Sequence, residues 1–322
     1  MAKERSQPMG HPSQQKSRSH AAPRDARDLL DADGDAEAGS LDQAKLGQQG
    51  IGAAHQGRFM LGPLEPLPEN PLEKAQCIME EAWQASGRRR ITLARKALTY
   101  SKDCADAYVL LASEAAKSIG ESLELLQLGV AAGERAIGPE RFASWKGRFW
   151  LHDTARPYMN ARAGLAGCLW AMGRHQEALD HYADLLRLNR SDNQGMRYVL
   201  ASCLLELNRD DELGELLDRY PRDPWAAWTY TRALWSFRRQ GANRVSNQAL
   251  RKALQSNRYV PLYLLGLLEL PKEAPAGETL GGEDEAISYV SENAAAWMVT
   301  PGAVEWLLGE MLKRAEKALR KF

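Results

Sequence analysis

The sequence predicts an all-α fold, and three observations support this prediction. From residue 71 onward, every long segment repeats its apolar residues with the period of a helix, and none alternates like a strand. Glycine or Asn-Arg breaks interrupt these segments about every fifteen residues. A similar pattern returns after about 34 residues, which is the length of a tetratricopeptide helix pair. We therefore expect an α-solenoid of degenerate tetratricopeptide-like helix-turn-helix repeats with a disordered N-terminal tail.

The beginning of the chain differs in composition from the rest. Residues 1–60 are rich in Ser, Gln, Gly, Asp, Ala and Arg, so they cannot bury enough apolar surface to offset the entropy of ordering. Residues 61–71, "LGPLEPLPENP", place four prolines in an extended linker. Within it, Asn70 and Pro71 are typical of an N-cap followed by proline at the first helical position. The helical repeat domain is expected to occupy residues 72–322.

The clearest repeat occupies residues 159–192. Its second helix reads "GRHQEALDHYADLLRLN", with a turn glycine, a small Ala178 where two helices approach, and Tyr182 one turn later. Units of this kind bury their faces only against neighbouring units. The first helix carries a small residue that recurs at spacings of 35 and 32 residues: Ala166, Ala201 and Ala233.

A short stretch before this repeat, "RFWLHDTARPYMNAR" at 148–162, concentrates aromatic rings and arginines. Proline disfavours the α region for the residue before it, so we expect Arg156 to be extended and Pro157 to begin the helix. The aromatic rings then fill the joint between the preceding helix and the repeat. A second interpretation is that three guanidinium groups form a cationic pocket for a carboxylate or phosphate: Arg148, Arg156 and Arg162.

The tetratricopeptide pattern also assigns residues to a concave face, which the first helix of each pair lines. Tyrosine and arginine are frequent at binding hot spots, so this face is a candidate groove for a peptide or protein segment. Chaperone-binding arrays hold a partner's terminal carboxylate with Lys and Asn, but Ala163 and Gly167 occupy those places here. The residues placed on the face are Asn160, Trp170, Tyr198, Ser202, Tyr230 and Arg238.

The sequence contains no complete catalytic, cofactor or metal-binding motif, so we expect a non-enzymatic protein without a cofactor. His152 and Asp153 are sequence neighbours, which rarely orient one another for catalysis. One helical face of the clearest repeat could hold a metal, but it is also the expected solvent side of the helix: Glu177, His181 and Asp184. The cysteines are far apart and in apolar helical surroundings, which indicates buried, reduced thiols: Cys77, Cys104, Cys168 and Cys203.

The charge balance bears on partners and location. The chain has 42 basic and 42 acidic side chains, so no overall field attracts nucleic acid or an anionic membrane. No apolar run is long enough to cross a bilayer, and no export signal is visible. We expect a cytoplasmic protein with a protein or peptide partner, no membrane association, and nucleic acid as a disfavoured partner. The alternative is nucleic-acid or anionic-ligand binding through the arginine clusters at 88–90 and 148–162.

Four blocks of sequence occur in a recognisable order: "ARKALTYSKDCADAYVLLASEAA", "RPYMNARAGLAGCLWAMGRHQEALDHYADLLRLNRSDNQGMRYVL", "ALRKALQSNRYVPLYLLGLLELP" and "GGEDEAISYVSENAAAWMVTPGAVEWL". Over roughly residues 72–307, the chain resembles the suppressor-of-tumorigenicity-7 family, specifically its soluble bacterial branch of tetratricopeptide-like proteins. The resemblance implies a helical-repeat fold and an interaction role, and it supplies no established catalytic residue. We therefore expect a scaffold or adaptor that binds a peptide or protein segment in its concave groove.

Overall fold

A computed structural model describes residues 70–319 of the chain. The predicted tail at 1–60 and nearly all of the predicted linker at 61–71 lie outside the described residues. Within residues 70–319, fourteen segments form α-helices and no segment forms a β-strand. The predicted all-α fold class is confirmed.

The helices are numbered in chain order. The first seven are α1 (Pro71–Gln84), α2 (Gly87–Tyr100), α3 (Ala105–Glu114), α4 (Ile119–Ile137), α5 (Pro139–Trp145), α6 (Arg156–Ala171) and α7 (His175–Leu188). Two 3-10 turns separate α5 from α6, at Phe149–Leu151 and Asp153–Ala155. The last seven are α8 (Met196–Glu206), α9 (Asp210–Arg219), α10 (Ala226–Gln240), α11 (Arg244–Ser256), α12 (Val260–Leu264), α13 (Glu283–Val299) and α14 (Ala303–Leu319).

The first helix begins as the sequence predicts. Asn70 Oδ1 accepts a hydrogen bond from the Leu72 backbone amide at 3.0 Å, and Pro71 occupies the first helical position. This side-chain acceptor satisfies one of the amides that a helix N-terminus leaves without an internal partner. Proline removes another unpaired amide at no cost to the helix, so the two residues together fix the start of α1.

The start of α6 differs from the sequence prediction. Arg156 has φ and ψ of −59° and −42°, in the α region, and α6 begins at this residue. Arg156 Nε donates to the Trp150 carbonyl oxygen at 3.0 Å, and its Nη1 lies 2.9 Å from an Asp153 carboxylate oxygen. These contacts offset the steric preference for an extended residue before proline. The expectation of an extended Arg156 was therefore wrong.

Two turns between helices share one backbone geometry 35 residues apart. Between α6 and α7, Gly173 has a φ of 75°, and the next amide donates to the Leu169 carbonyl at 2.9 Å. Between α8 and α9, Asn208 has a φ of 57°, and the next amide donates to the Leu204 carbonyl at 2.9 Å. Glycine and asparagine adopt this left-handed conformation most readily. The small residues that were predicted to lie between helices are all buried: Ala166, Ala178, Ala201 and Ala233.

Helices α4 and α6 approach each other closely through glycine. A Cβ atom placed on Gly133 of α4 would lie 2.6 Å from the Cβ and 2.9 Å from the Cα of Tyr158 on α6. On the other side of the contact, a Cβ on Gly164 would lie 2.8 Å from a methyl carbon of Leu126. Larger side chains would therefore push the two helices apart, and this close contact sets the position of α6 against α4.

The C-terminal helices depart from an array in which each pair contacts only the next one. Helix α13 packs against both α8 and α10. At the start of α13, the buried Glu285 carboxylate accepts hydrogen bonds from the Ala226 amide at 2.6 Å, the Asn257 side chain at 2.7 Å and the Gly281 amide at 2.8 Å. These bonds hold the start of α13 against the first residue of α10 and the residue that follows α11.

Two further predictions concern thiols and membranes. All four cysteines are free, and Cys104 and Cys203 are buried as predicted. Cys168 is only half-buried and Cys77 is exposed on α1, so the prediction of four buried thiols was wrong for these two residues. Among the described residues, no helix combines the length and apolar character that crossing a bilayer requires.

Candidate binding cleft

An open cleft of about 1020 Å³ lies between α4, α5, α6 and α7, and we call it the α4–α7 cleft. Part of its wall is apolar, formed by Ala131, Pro139, Phe142, Ala143 and Leu188. The charged side chains that line it are Glu134, Arg135, Lys146, Arg162, Asp184 and Arg187. The cleft therefore combines an apolar surface with four basic and two acidic groups.

An aromatic cluster holds the short helix α5 against the rest of the fold. The Phe142 ring meets the Phe149 ring edge to face, with 4.9 Å between centroids, and the Tyr158 ring at 5.4 Å. Trp145 stacks on His152 at 4.0 Å. Because Phe149 and Tyr158 are buried, these two rings fill the joint before α6, as one of the two interpretations proposed, whereas Trp150 is half-buried.

Arg162 has three partners: Tyr158 on its own helix α6, and His181 and Asp184 on α7, which connect the two helices. Its Nε donates to His181 Nδ1 at 3.1 Å, and its Nη1 donates to the Tyr158 hydroxyl oxygen at 2.8 Å. Its Nη2 pairs with the Asp184 carboxylate. His181 can accept this bond only when Nδ1 is unprotonated. Burial, together with the positive charge of Arg162, lowers the pKa of His181 and favours this neutral form.

Asp184 joins two guanidinium groups at the cleft wall. It pairs with Arg162 across the helix contact and with Arg187 one turn further along α7. Asp184 thereby orients the Arg187 side chain, which is 63% exposed. Across the cleft, Arg135 Nε pairs with Asp103 at 2.7 Å. Lys146 is exposed and makes no ion pair with any residue that the structure describes.

Of the three arginines that were predicted to form one cationic pocket, the cleft contains only Arg162. Arg148 is exposed, and its backbone forms a bridge with Asn189. Arg156 is held by Asp153 and lies over the Trp150 ring. The structure therefore separates these guanidinium groups instead of bringing them together.

Asn160 is half-buried on α6, and its position is fixed by one side-chain contact. Its Oδ1 atom accepts a hydrogen bond from Gln194 Nε2 at 3.0 Å. This bond links α6 to the segment before α8, and Asn160 is not among the residues that line the cleft.

The remaining candidate residues lie at contacts between helices. The Tyr198 hydroxyl donates to the Asp223 carboxylate at 2.8 Å. Arg238 Nη1 donates to the Leu205 carbonyl at 2.9 Å, and its side chain is 8% exposed. Tyr230 is fully buried, and its hydroxyl donates to a backbone carbonyl at 2.6 Å. A fully buried ring has no surface to offer a groove, so the placement of Tyr230 on an exposed face needs correction.

A family comparison covers all four helices of the cleft. The sequence model of the family described as "ST7 protein" matches residues 55–313. The chain belongs to the ST7 family. This agrees with the resemblance carried by the four sequence blocks.

Curated ST7 relatives are found in several animals. The chain is 29% identical over 269 residues to the human "Suppressor of tumorigenicity 7 protein-like", covering 73% of this chain and 45% of the relative. It is also 29% identical over 267 residues to the "Protein ST7 homolog" of Caenorhabditis elegans, covering 71% and 49% of the two chains. The chain thus spans about half the length of the curated relatives it matches. No solved structure matches it.

The sequence pattern did not point to most of the charged residues in the cleft of this ST7 family member. It placed His181 and Asp184 on a solvent face, whereas both contact Arg162 from α7. Lys146 follows α5, a helix of seven residues that matches no repeat. The sequence feature that could have indicated these residues is the spacing of His181, Asp184 and Arg187, which places all three on one face of α7. Within the described residues, no group of three or more potential ligands could hold a metal ion.

Proposed function

We propose that this ST7 family member is a non-enzymatic scaffold or adaptor, built from degenerate tetratricopeptide-like helix pairs, that binds a peptide or protein segment in the α4–α7 cleft. The observation that carries the proposal is the cleft itself, about 1020 Å³ in volume and open to solvent between four helices. Its size is at the upper end of typical ligand pockets, which leaves room for several side chains of a bound segment.

The composition of the cleft supports a protein ligand. Its wall pairs apolar surface from Phe142 and Ala143 with exposed basic groups, the combination that binds both the apolar and polar parts of a peptide. Protein segments commonly bind helical-repeat proteins along extended surfaces between helices. The four free thiols support a reducing compartment, and we propose the cytoplasm as the location.

A cleft-filling variant tests the proposal directly. Ala143 is exposed on α5 and lines the cleft, so Ala143→Trp should obstruct it without disturbing the core. Ala295, which is exposed on α13 and away from the cleft, provides the matched control Ala295→Trp. Proteins captured from a lysate of the source cells are identified by mass spectrometry. We expect partners that are retained by wild type and Ala295→Trp but lost with Ala143→Trp. Equal capture by all three would contradict the proposal.

The nucleic-acid alternative gains no specific support from the arrangement of its arginines. In the first cluster, Arg90 lies over the Trp83 ring at 4.7 Å and pairs with Glu114 at 2.8 Å. In the second, Arg156 pairs with Asp153. Because such contacts occupy guanidinium donors that phosphates would need, we do not propose nucleic acid as the partner.

A further inference from the structure

Resting on the proposed function, we infer that the α4–α7 cleft selects an acidic peptide segment, one in which carboxylate side chains stand next to a bulky apolar side chain. The proposal concerns the chemistry of the ligand, which the cleft's charges and apolar wall define together.

The charge of the cleft favours an anionic ligand. Its lining contains four basic side chains and two acidic ones, Glu134 and Asp184, which leaves a formal excess of two positive charges. The chain as a whole is neutral, so this excess is a local property of the cleft. Asp103, just outside the lining, already pairs with Arg135. A segment with about one or two carboxylates would neutralise the remaining charge, and complementary charge also raises the rate of encounter.

Two basic side chains of the cleft have hydrogen-bond donors that are free to bind a ligand. Arg162 uses its Nε, Nη1 and Nη2 atoms on three protein partners, so it forms a fixed part of the wall. Arg187 uses one nitrogen on Asp184 and is otherwise exposed, and Lys146 is exposed without an ion pair among the described residues. An arginine that is already oriented by a carboxylate loses less freedom on binding, and its free edge can hold an incoming carboxylate.

An apolar wall lies in the same cleft as these donors. Phe142 is half-buried, with its ring held by Phe149 and Tyr158, and Ala143 next to it is exposed. A leucine or phenylalanine of the ligand would cover this surface and be removed from water at the same time. Basic groups and apolar surface therefore lie within one cleft, which favours a ligand that carries both features.

The charges of the cleft act on a phosphate dianion as well as on carboxylates. The four basic groups attract either anion and the two acidic groups repel it, each in proportion to the charge of the ligand. The test below therefore includes matched phosphoserine peptides, which separate carboxylate from phosphate recognition.

The test is a random dodecapeptide display library selected on the full chain. Two charge-reversed proteins are compared with wild type: Lys146→Glu with Arg187→Glu in the cleft, and Arg251→Glu with Lys252→Glu on α11 as the matched control. All four positions are exposed, so the variants should remain folded, which circular dichroism checks. We expect the wild type and the control to enrich peptides with net negative charge and at least one bulky apolar residue. The cleft variant should lose them.

Affinities of the best peptides, measured by fluorescence anisotropy, complete the test. Replacing their Asp and Glu by Asn and Gln should weaken binding at least about tenfold. Added salt should weaken binding of the unsubstituted acidic peptides. Three results would overturn the acidic-peptide inference: enrichment of neutral or basic cleft-dependent peptides, equal binding of the amide versions, or binding of matched phosphoserine peptides alone. In each of these, the proposed peptide-binding function survives. If no enriched peptide depends on the cleft, the proposed function itself fails.

Discussion

The α6–α7 region and the neighbouring α8–α10 region both place an arginine between helices, but they use it differently. Arg197 on α8 pairs with Asp192 at 2.9 Å and Asp223 at 2.7 Å, and these carboxylates are 2% and 4% exposed. Arg162 on α6 pairs with Asp184, which is 32% exposed. An arginine between helices is therefore a buried connection where its carboxylate partners are buried, and part of an open cleft where its partner is exposed to water.

Aromatic rings reinforce this difference. Arg197 lies over the Tyr198 ring at 4.2 Å and the Tyr220 ring at 5.2 Å. Two rings and two nearly fully buried carboxylates contact its guanidinium, although 17% of the Arg197 side chain is exposed. In the α6–α7 region, Arg162 lies 6.0 Å from the Tyr158 ring and lines the cleft. The first arrangement serves stability, whereas the second leaves room for binding.

The largest expected effect comes from removing the buried arginine. Arg197→Ala would leave the Asp192 and Asp223 carboxylates buried without a cation, which costs about 3–5 kcal/mol when one partner of a buried pair is removed. Urea unfolding followed by circular dichroism measures the free energy of unfolding. Arg187→Ala is the matched change at the cleft, where the exposed guanidinium should contribute less than about 1 kcal/mol.

Similar losses of stability in the two variants would contradict the difference between the two regions. A loss below about 1 kcal/mol for Arg197→Ala would mean that its carboxylates find water or other partners. In that case, Arg197 and Arg187 would have to be treated as the same kind of residue.

A smaller effect is expected at the close contact between α4 and α6. Gly133→Ala would bring a methyl group within 2.9 Å of the Tyr158 Cα atom, and backbone cannot move aside as a side chain can. Overpacking of this kind typically costs about 1–3 kcal/mol. Gly167→Ala on α6 is the control, because its nearest contact would be the Tyr182 hydroxyl at 3.8 Å. The control should keep wild-type stability or exceed it, since alanine favours helix. Similar losses at both positions would show that the contact is not tight.

The sequence predicted the fold well because helix signals are local. The cap at Asn70, the turn at Gly173 and the small residue Ala166 each depend on a few neighbouring residues, and each lies where its pattern indicated. Arg156 was misplaced because its conformation is decided by contacts with Trp150 and Asp153 that outweigh the local preference before proline.

The cleft was far less predictable, because it depends on contacts between residues distant in sequence. Arg162 was singled out, but its partners His181 and Asp184 lie 19 and 22 residues away. Whether a tyrosine faces solvent or core is also decided by packing. Tyrosine is a residue type that is frequent at binding hot spots, but Tyr230 lies beneath α13, close to Tyr289 and Trp297. A repeat pattern describes a regular array of helix pairs, so it does not predict that α13 packs over Tyr230.

The smallest expected effect is a pH dependence of protein stability, which arises from His181 at the cleft wall. Burial and the Arg162 charge lower the pKa of His181 in the folded state, although Asp180 and Glu177 partly offset this. The unfolded chain therefore takes up this proton first as the pH falls through about 6.5. Stability is lost in that range and levels off below the folded pKa, with a slope no steeper than about 1.4 kcal/mol per pH unit.

His181→Asn isolates this contribution, because asparagine can still accept a hydrogen bond from Arg162 Nε but does not take up a proton. Asp106 also titrates in this range, because burial raises its pKa to about 6. Its effect on the pH dependence of stability has the opposite sign, but it is the same in wild type and in His181→Asn and cancels when the two proteins are compared. Urea midpoints between pH 5 and 8 should converge at high pH, with wild type falling below the variant at low pH. A constant difference would mean that Arg162 holds its place without the neutral imidazole. The cleft wall would then resemble the buried connection around Arg197.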